Sequence, residues 1–286
     1  MLRAMEPVSA SRSISQVRVL AVRGPDATQR DEALAGEEPL EVRACGAGQE
    51  PVSIAVTMRT PDDEEALAVG FLVSEGLVAP SELAGARFES GDPVAMAQPE
   101  NEITVHLAQA FDASRVASRN FVATASCGIC GKASVDDVVL RCEALPDSSV
   151  VNRATLLALP DAMRQAQEVF ASTGGLHAAA LFTAEGQLRA LREDVGRHNA
   201  LDKVIGAMAL AGELPLHRCV LLVSGRVSFE IVQKAAMAGL PILAAVSAPT
   251  DLAVATAERL GMTLVGFLRE ERFNIYTGRE RIDLTH

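Results

Sequence analysis

Two cysteines three positions apart, in Cys127-Gly128-Ile129-Cys130-Gly131, are the sharpest chemical signal in this 286-residue chain. A thiol pair at this spacing can form a redox disulfide, supply half of a zinc site or carry a persulfide. A glycine after each cysteine keeps the backbone slim, so a bulky partner can approach the sulfur. Lys132, with no acidic residue between positions 113 and 135, favours the thiolate, the reactive form. Structural zinc needs two more ligands, and Cys142 stands alone with no second CxxC in the chain. A thioredoxin-like pair would end a strand and open a helix, whereas this one falls in a Gly/Ser/Ala-rich stretch. The bland alternative, two small buried residues in a turn, stays open from the motif by itself. Cys219 heads an apolar run and is expected in the core, while Cys45 and Cys142 read as incidental.

A second group of candidates lies in strand-to-helix turns. Arg192-Glu193-Asp194-Val195-Gly196-Arg197-His198-Asn199 packs unlike charges, a glycine and a histidine into one such turn, and Ser224-Gly225-Arg226 makes the next. Turns of this kind aim free backbone N–H groups outward, where an anion is favoured. For either turn separately, ordinary capping with surface ion pairs explains as much. Two of them, expected in register at the carboxyl ends of neighbouring strands, favour a ligand crevice. His177 reads as a structural histidine, and Arg269-Glu270-Glu271-Arg272 as a charged hairpin turn beside the same domain.

The elements that must hold these residues can be read from periodicity. Val52, Ile54, Val56 and Met58 alternate as in a half-buried strand. Thr60-Pro61-Asp62-Asp63 then opens a helix, with Thr60 as its cap, that ends at Gly76. Ile103, Val105 and Leu107 give another strand, and a further helix is expected from Pro160 to Phe170. Beyond it, short apolar strands alternate with helices three times, which implies a largely parallel sheet covered on both faces. The fold class is therefore α/β. The expected division is a loose leader at 1–38, a smaller α+β N-terminal domain at 39–110, a linker with the cysteine loop at 111–150, and an α/β cofactor-binding domain at 151–286.

Composition bounds what this architecture can do. The chain is 49% apolar, with no Trp, one Tyr and nine Phe, so its core is aliphatic. The net charge of −11 falls wholly within the first 150 residues. An acidic or neutral surface repels phosphate backbones, so no nucleic-acid partner is expected. Scattered arginines in the balanced half still suit a small anionic ligand. The most apolar uncharged stretches are shorter than the roughly 20 residues of a membrane span, so no membrane partner is expected either. Five cysteines, with no apolar signal core near the N-terminus, are expected as reduced thiols in the cytoplasm.

Six blocks in order, from about residue 40 to 278, resemble the formate dehydrogenase accessory sulfurtransferase FdhD family. They are Cys127-Gly128-Ile129-Cys130-Gly131, Gly174-Gly175-Leu176-His177, residues 192–203 (REDVGRHNALDK), residues 223–238 (VSGRVSFEIVQKAAMA), residues 245–250 (AVSAPT) and residues 273–277 (FNIYT). The resemblance implies a persulfide carrier that accepts sulfur from a cysteine desulfurase on Cys127, with Cys130 auxiliary. It implies delivery to the molybdenum of the bis-molybdopterin guanine dinucleotide cofactor, for formate dehydrogenase. The guanine dinucleotide site then includes Phe267, Leu268, Arg269, Glu270, Glu271 and Arg272. The resemblance further implies a homodimer and a C-terminal cytidine-deaminase-like α/β domain. Deaminases hold zinc through a His or Cys opening one helix and Pro-Cys-x-x-Cys opening the next. Here His198 stands near the first position, but the second turn reads Ser224-Gly225-Arg226-Val227-Ser228, so no zinc is expected. A dithiol redox protein using Cys127 and Cys130, and a non-catalytic chaperone of the molybdenum cofactor, are the alternatives.

Overall fold

A computed structural model describes residues 12–92, 98–117, 145 and 150–285, and every element below belongs to those residues. Strands β1 (Ile14–Arg23) and β2 (Asp26–Ala35) pair antiparallel along their whole length around a two-residue turn, with Gly24 at a φ of +59°. The expected loose leader thus contains a hairpin. Residues 19–22 (VLAV) are apolar without a break, so no period of two marks the strand.

Strands β3 (Glu38–Cys45), β4 (Val52–Arg59), β5 (Arg87–Ser90) and β6 (Glu102–His106) build a four-stranded sheet in the order β4-β3-β6-β5. The central β3 and β6 run parallel, and both outer strands are antiparallel to their neighbours. Helix α1 (Glu64–Ser74) covers one face, setting Leu67 and Leu72 against Leu40, Val42, Ile54 and Val105. A short helix α2 (Ser114–Ala117) follows the sheet. Thr60 does not cap α1 as expected. Asp63 is the N-cap residue, in a left-handed conformation, and Thr60 is bonded to the second half of the chain instead.

The second half opens with β7 (Val151–Asn152), α3 (Arg153–Ala166) and α4 (Glu168–Thr173). Two helices replace the single one expected from Pro160, because Asn152 is the stronger start: its side chain accepts from Ala154 N at 2.7 Å, which leaves Pro160 inside α3. Then come β8 (His177–Thr183), β9 (Leu188–Asp194), α5 (Arg197–Leu210), β10 (Cys219–Val223), α6 (Phe229–Met237), β11 (Ile242–Ala245), α7 (Asp251–Arg259), β12 (Thr263–Arg269), β13 (Arg272–Thr277) and β14 (Ile282–Asp283).

Six of these strands form one mixed sheet in the order β13-β12-β11-β10-β8-β9. Only β10, β11 and β12 are parallel neighbours, so the sheet is less parallel than expected. The four residues 184–187 between β8 and β9 are too few for a crossover, which forces a hairpin. β8 therefore inserts antiparallel between β9 and β10, and β13 folds back on β12. Helices α5, α6 and α7 cover one face with an aliphatic core, and α3 with β7 and β14 covers the other.

Helices α1 and α5 are buried over nearly their whole circumference, α5 with Asn199, Asp202 and Lys203 among its buried residues. Val69 and Val73 of α1 face the larger domain while Leu67 and Leu72 face the smaller, so one helix serves two cores. The two helices cross at Gly70 and Gly206. A Cβ on Gly70 would lie 1.8 Å from Asp202 O, and one on Gly206 would lie 1.8 Å from Ala66 O. Only glycine permits that approach.

Candidate functional site

The charged segment that begins at Arg192 faces two ways, and most of it faces inward. Asp194, fully buried, accepts from Lys203 Nζ at 2.8 Å, from Thr60 N at 3.1 Å and from its own turn through Gly196 N at 2.8 Å. Lys203 also donates to Thr60 O, and Asn199 donates to Met58 O, both at 2.8 Å. Glu193 accepts from the first N–H groups of α4, at Val169 and Phe170, and Arg192 pairs with Asp63 at 3.1 Å. The alternative of capping and ion pairs therefore accounts for these residues. They fasten the smaller domain to the larger.

Arg197 and His198 face the other way. They stand where β9, β10, β11 and β12 end, all four running in the same direction, with the start of β8 among them. The two turns are not on neighbouring strands as expected, because β8 lies between β9 and β10. Three loops are joined edge to edge here: Thr250 N donates to Val227 O at 2.9 Å, Val227 N to Ala248 O at 3.1 Å, and Phe267 N to Ser247 O at 3.0 Å. Helix α5 starts at Gly196 and α6 at Ser228, neither with a side-chain cap, so first-turn N–H groups remain for a ligand. The Ser228 hydroxyl instead lies 3.5 Å from His198 Nε2.

Beside these helix starts one buried polar group is unspent. Arg197 Nε is buried and has no partner among the described residues. A Cβ on Gly225 would fall 3.3 Å from His177 Nδ1 and 3.7 Å from Arg197 Cδ, so the bare glycine keeps the space between those side chains open. Burial, aided by Lys234 and Arg197, pushes the His198 imidazole down to about 4. Burial and Arg197 likewise lower His177. Both histidines are neutral near pH 7, which leaves the arginines as the cations of this edge. An exposed Arg226 lies on the β10–α6 turn.

Beneath the helix starts sits a buried ionic cluster that no sequence spacing revealed. Lys234 Nζ lies 2.9 Å from Asp202 Oδ2, 2.8 Å from Glu75 Oε1 and 2.9 Å from Ser74 Oγ. Burial by itself lowers the ammonium, but Asp202 and Glu75 outweigh it and hold the proton on. Its members come from three helices and span 160 positions, so nothing local marks them.

Cys127 and Cys130 lie outside the described residues. Of the six residues expected at the nucleotide site, Leu268 has its side chain in the core behind the sheet, and Arg269, Glu270, Glu271 and Arg272 form an exposed hairpin turn. Phe267 and Glu270 adopt φ angles of +53° and +54°, a left-handed strain that non-glycine residues carry at functional loops. The Arg269 guanidinium lies 5.8 Å from the Phe267 ring centre. Cys219 is in the core as expected, whereas Cys45, read as incidental, faces His106.

Residues 35–283 match the FdhD/NarQ family. The chain belongs to it. Sulfur carrier protein FdhD of Mycolicibacterium paratuberculosis is 50% identical over 94% of this chain and 98% of its own. The protein of the same name from Streptomyces avermitilis is 48% identical over 93% and 95%, and that of Sulfurisphaera tokodaii 41% over 94% and 99%. A crystal structure assigned to a formate dehydrogenase accessory protein of Desulfotalea psychrophila aligns with a TM-score of 0.71 at 25% identity. It covers 94% of this chain and 99% of that one. The mixed α/β architecture is thus shared with that protein. No helix among the described residues is long and apolar enough to cross a membrane.

Proposed function

We propose that this FdhD/NarQ protein carries sulfur on Cys127, from a cysteine desulfurase to the molybdenum of bis-molybdopterin guanine dinucleotide, in the service of formate dehydrogenase. The observation that carries the reading is the near full-length identity to proteins named sulfur carriers. The Cys127 thiolate attacks the outer sulfur of the desulfurase persulfide. The S–S bond breaks, the desulfurase cysteine leaves as thiolate, and Cys127 becomes the persulfide. Cys130 is an auxiliary that can release the sulfur by forming a Cys127–Cys130 disulfide.

The edge at the ends of β9 to β12 suits the other substrate. Diphosphates fit uncapped helix starts, and Arg197, Arg226, Arg269 and Arg272 supply bidentate donors. The strained hairpin with Phe267 is the candidate for the guanine, and the working unit is a homodimer. Intact-mass analysis after incubation with cysteine and a desulfurase tests the carrier. A one-sulfur gain that survives Cys130→Ser and disappears in Cys127→Ser is expected. The reverse pattern overturns the assignment, and a reversible loss of two hydrogens with no sulfur gain points to the dithiol redox reading instead.

A further inference from the structure

Cys45 is buried, yet it does not belong to the hydrophobic core. Along β3 the core residues are Leu40, Val42 and Ala44, so strand alternation puts Cys45 on the opposite, polar face. The parallel register of β3 and β6 sets it directly opposite His106, and β5 sets Arg87 opposite His106 on its other side. Glu89, two residues along β5, shares that face.

The three side chains are in contact in sequence. Cys45 Sγ lies 3.2 Å from His106 Nδ1, and His106 Nε2 lies 2.9 Å from Glu89 Oε2. With Nε2 donating to the carboxylate, Nδ1 is left to accept the thiol proton, which is the geometry of a nucleophile, a base and its orienting group. Beside them opens a cleft of about 290 Å³, lined by Cys45, His106, Arg87 and the glycine-rich residues 46–49. That is room for a small molecule. Burial, reinforced by Glu89 and Glu50 against Arg43, pushes the thiol up, so at rest it keeps its proton and needs the base.

We propose that Cys45 is a second sulfur-accepting thiol, serving a low-molecular-weight persulfide that bears a carboxylate, with His106 as its base and Arg87 as the carboxylate's partner. His106 Nδ1 takes the thiol proton, and the thiolate attacks the outer sulfur of R–S–SH. The S–S bond of the donor breaks, R–S⁻ leaves and recovers the proton from His106, and Cys45–S–SH remains. One thiol and one persulfide exchange places, with no net electron transfer and no oxidant. The site is separate from the crevice and stands whether or not Cys127 carries sulfur.

The test is peptide mass spectrometry of the full-length protein after brief exposure to cysteine persulfide. A one-sulfur gain on the Cys45 peptide is expected, in wild type and in Cys127→Ser alike, while Cys219 in the core stays unmodified and reports that the protein is folded. His106→Gln should slow the gain on the order of 10²-fold, the usual contribution of a general base, and Glu89→Gln more weakly. Arg87→Ala should slow cysteine persulfide but not the uncharged reagent methyl methanethiosulfonate. Sulfur on Cys127 with none on Cys45 removes this proposal and leaves the sulfur-carrier reading intact. Sulfur on Cys45 with none on Cys127 supports the proposal, and the desulfurase experiment decides the carrier reading. An unchanged rate in His106→Gln also overturns the proposal.

Discussion

Among the described residues, Arg197 is the one at the crevice edge with a buried guanidinium nitrogen left without a partner. A buried guanidinium nitrogen without a partner costs folding free energy, so a ligand that supplies an oxygen there recovers that cost on binding. Arg197→Ala is therefore expected to lower affinity for guanosine diphosphate about tenfold or more, as loss of a charge-assisted hydrogen bond does. Calorimetric titration of the folded variant measures it. His198 carries a pH dependence of definite sign. Folded, it takes a proton only near pH 4, against an ordinary value of 6.5, so the unfolded chain binds more protons between those limits. Stability should fall as pH drops through that window, and His198→Gln should flatten the fall. Urea midpoints at pH 7 and pH 5 check this; equal losses in both proteins refute it.

At the scale of elements, the α1–α5 crossing sets the distance between the two domains. Gly206→Ala places a methyl inside a backbone carbonyl's radius, and the helices must separate. A loss of about 3 kcal/mol in urea unfolding is expected, at the upper end for overpacking. Lys234→Met would leave Asp202 and Glu75 buried without their cation, at a cost of about 3–5 kcal/mol. Adding Asp202→Leu and Glu75→Gln to that variant should restore most of it. Element types were legible from the sequence where one period rules a segment, as in β4 and the β10 to α7 run. Thr60 and Asp194 were not, because their partners lie 134 positions apart and capping statistics see only neighbours. The βαβ pattern likewise implied parallel strands, and only the short 184–187 connection argued otherwise. The crevice turns were visible as sequence, but which of their residues point in or out depends on α1, a helix far upstream.

For the whole molecule, the shared helix and the buried ties predict one cooperative unfolding transition in place of two domain transitions. Scanning calorimetry with matched calorimetric and van't Hoff enthalpies would show it; a resolved early transition would contradict it. The β1–β2 hairpin touches that unit where β2 meets α4, but Leu20 and Val22 are exposed by 63% and 69%. A two-stranded ribbon of that kind is marginal in water, so proteolysis should start at its Gly24 turn. The buried cations carry one more consequence, for labelling. The sequence has only three lysines, and Lys203 and Lys234 are both locked under carboxylates inside the protein. An amine-reactive dye added to the native chain should therefore leave both unlabelled, and peptide mapping of the labelled protein checks it.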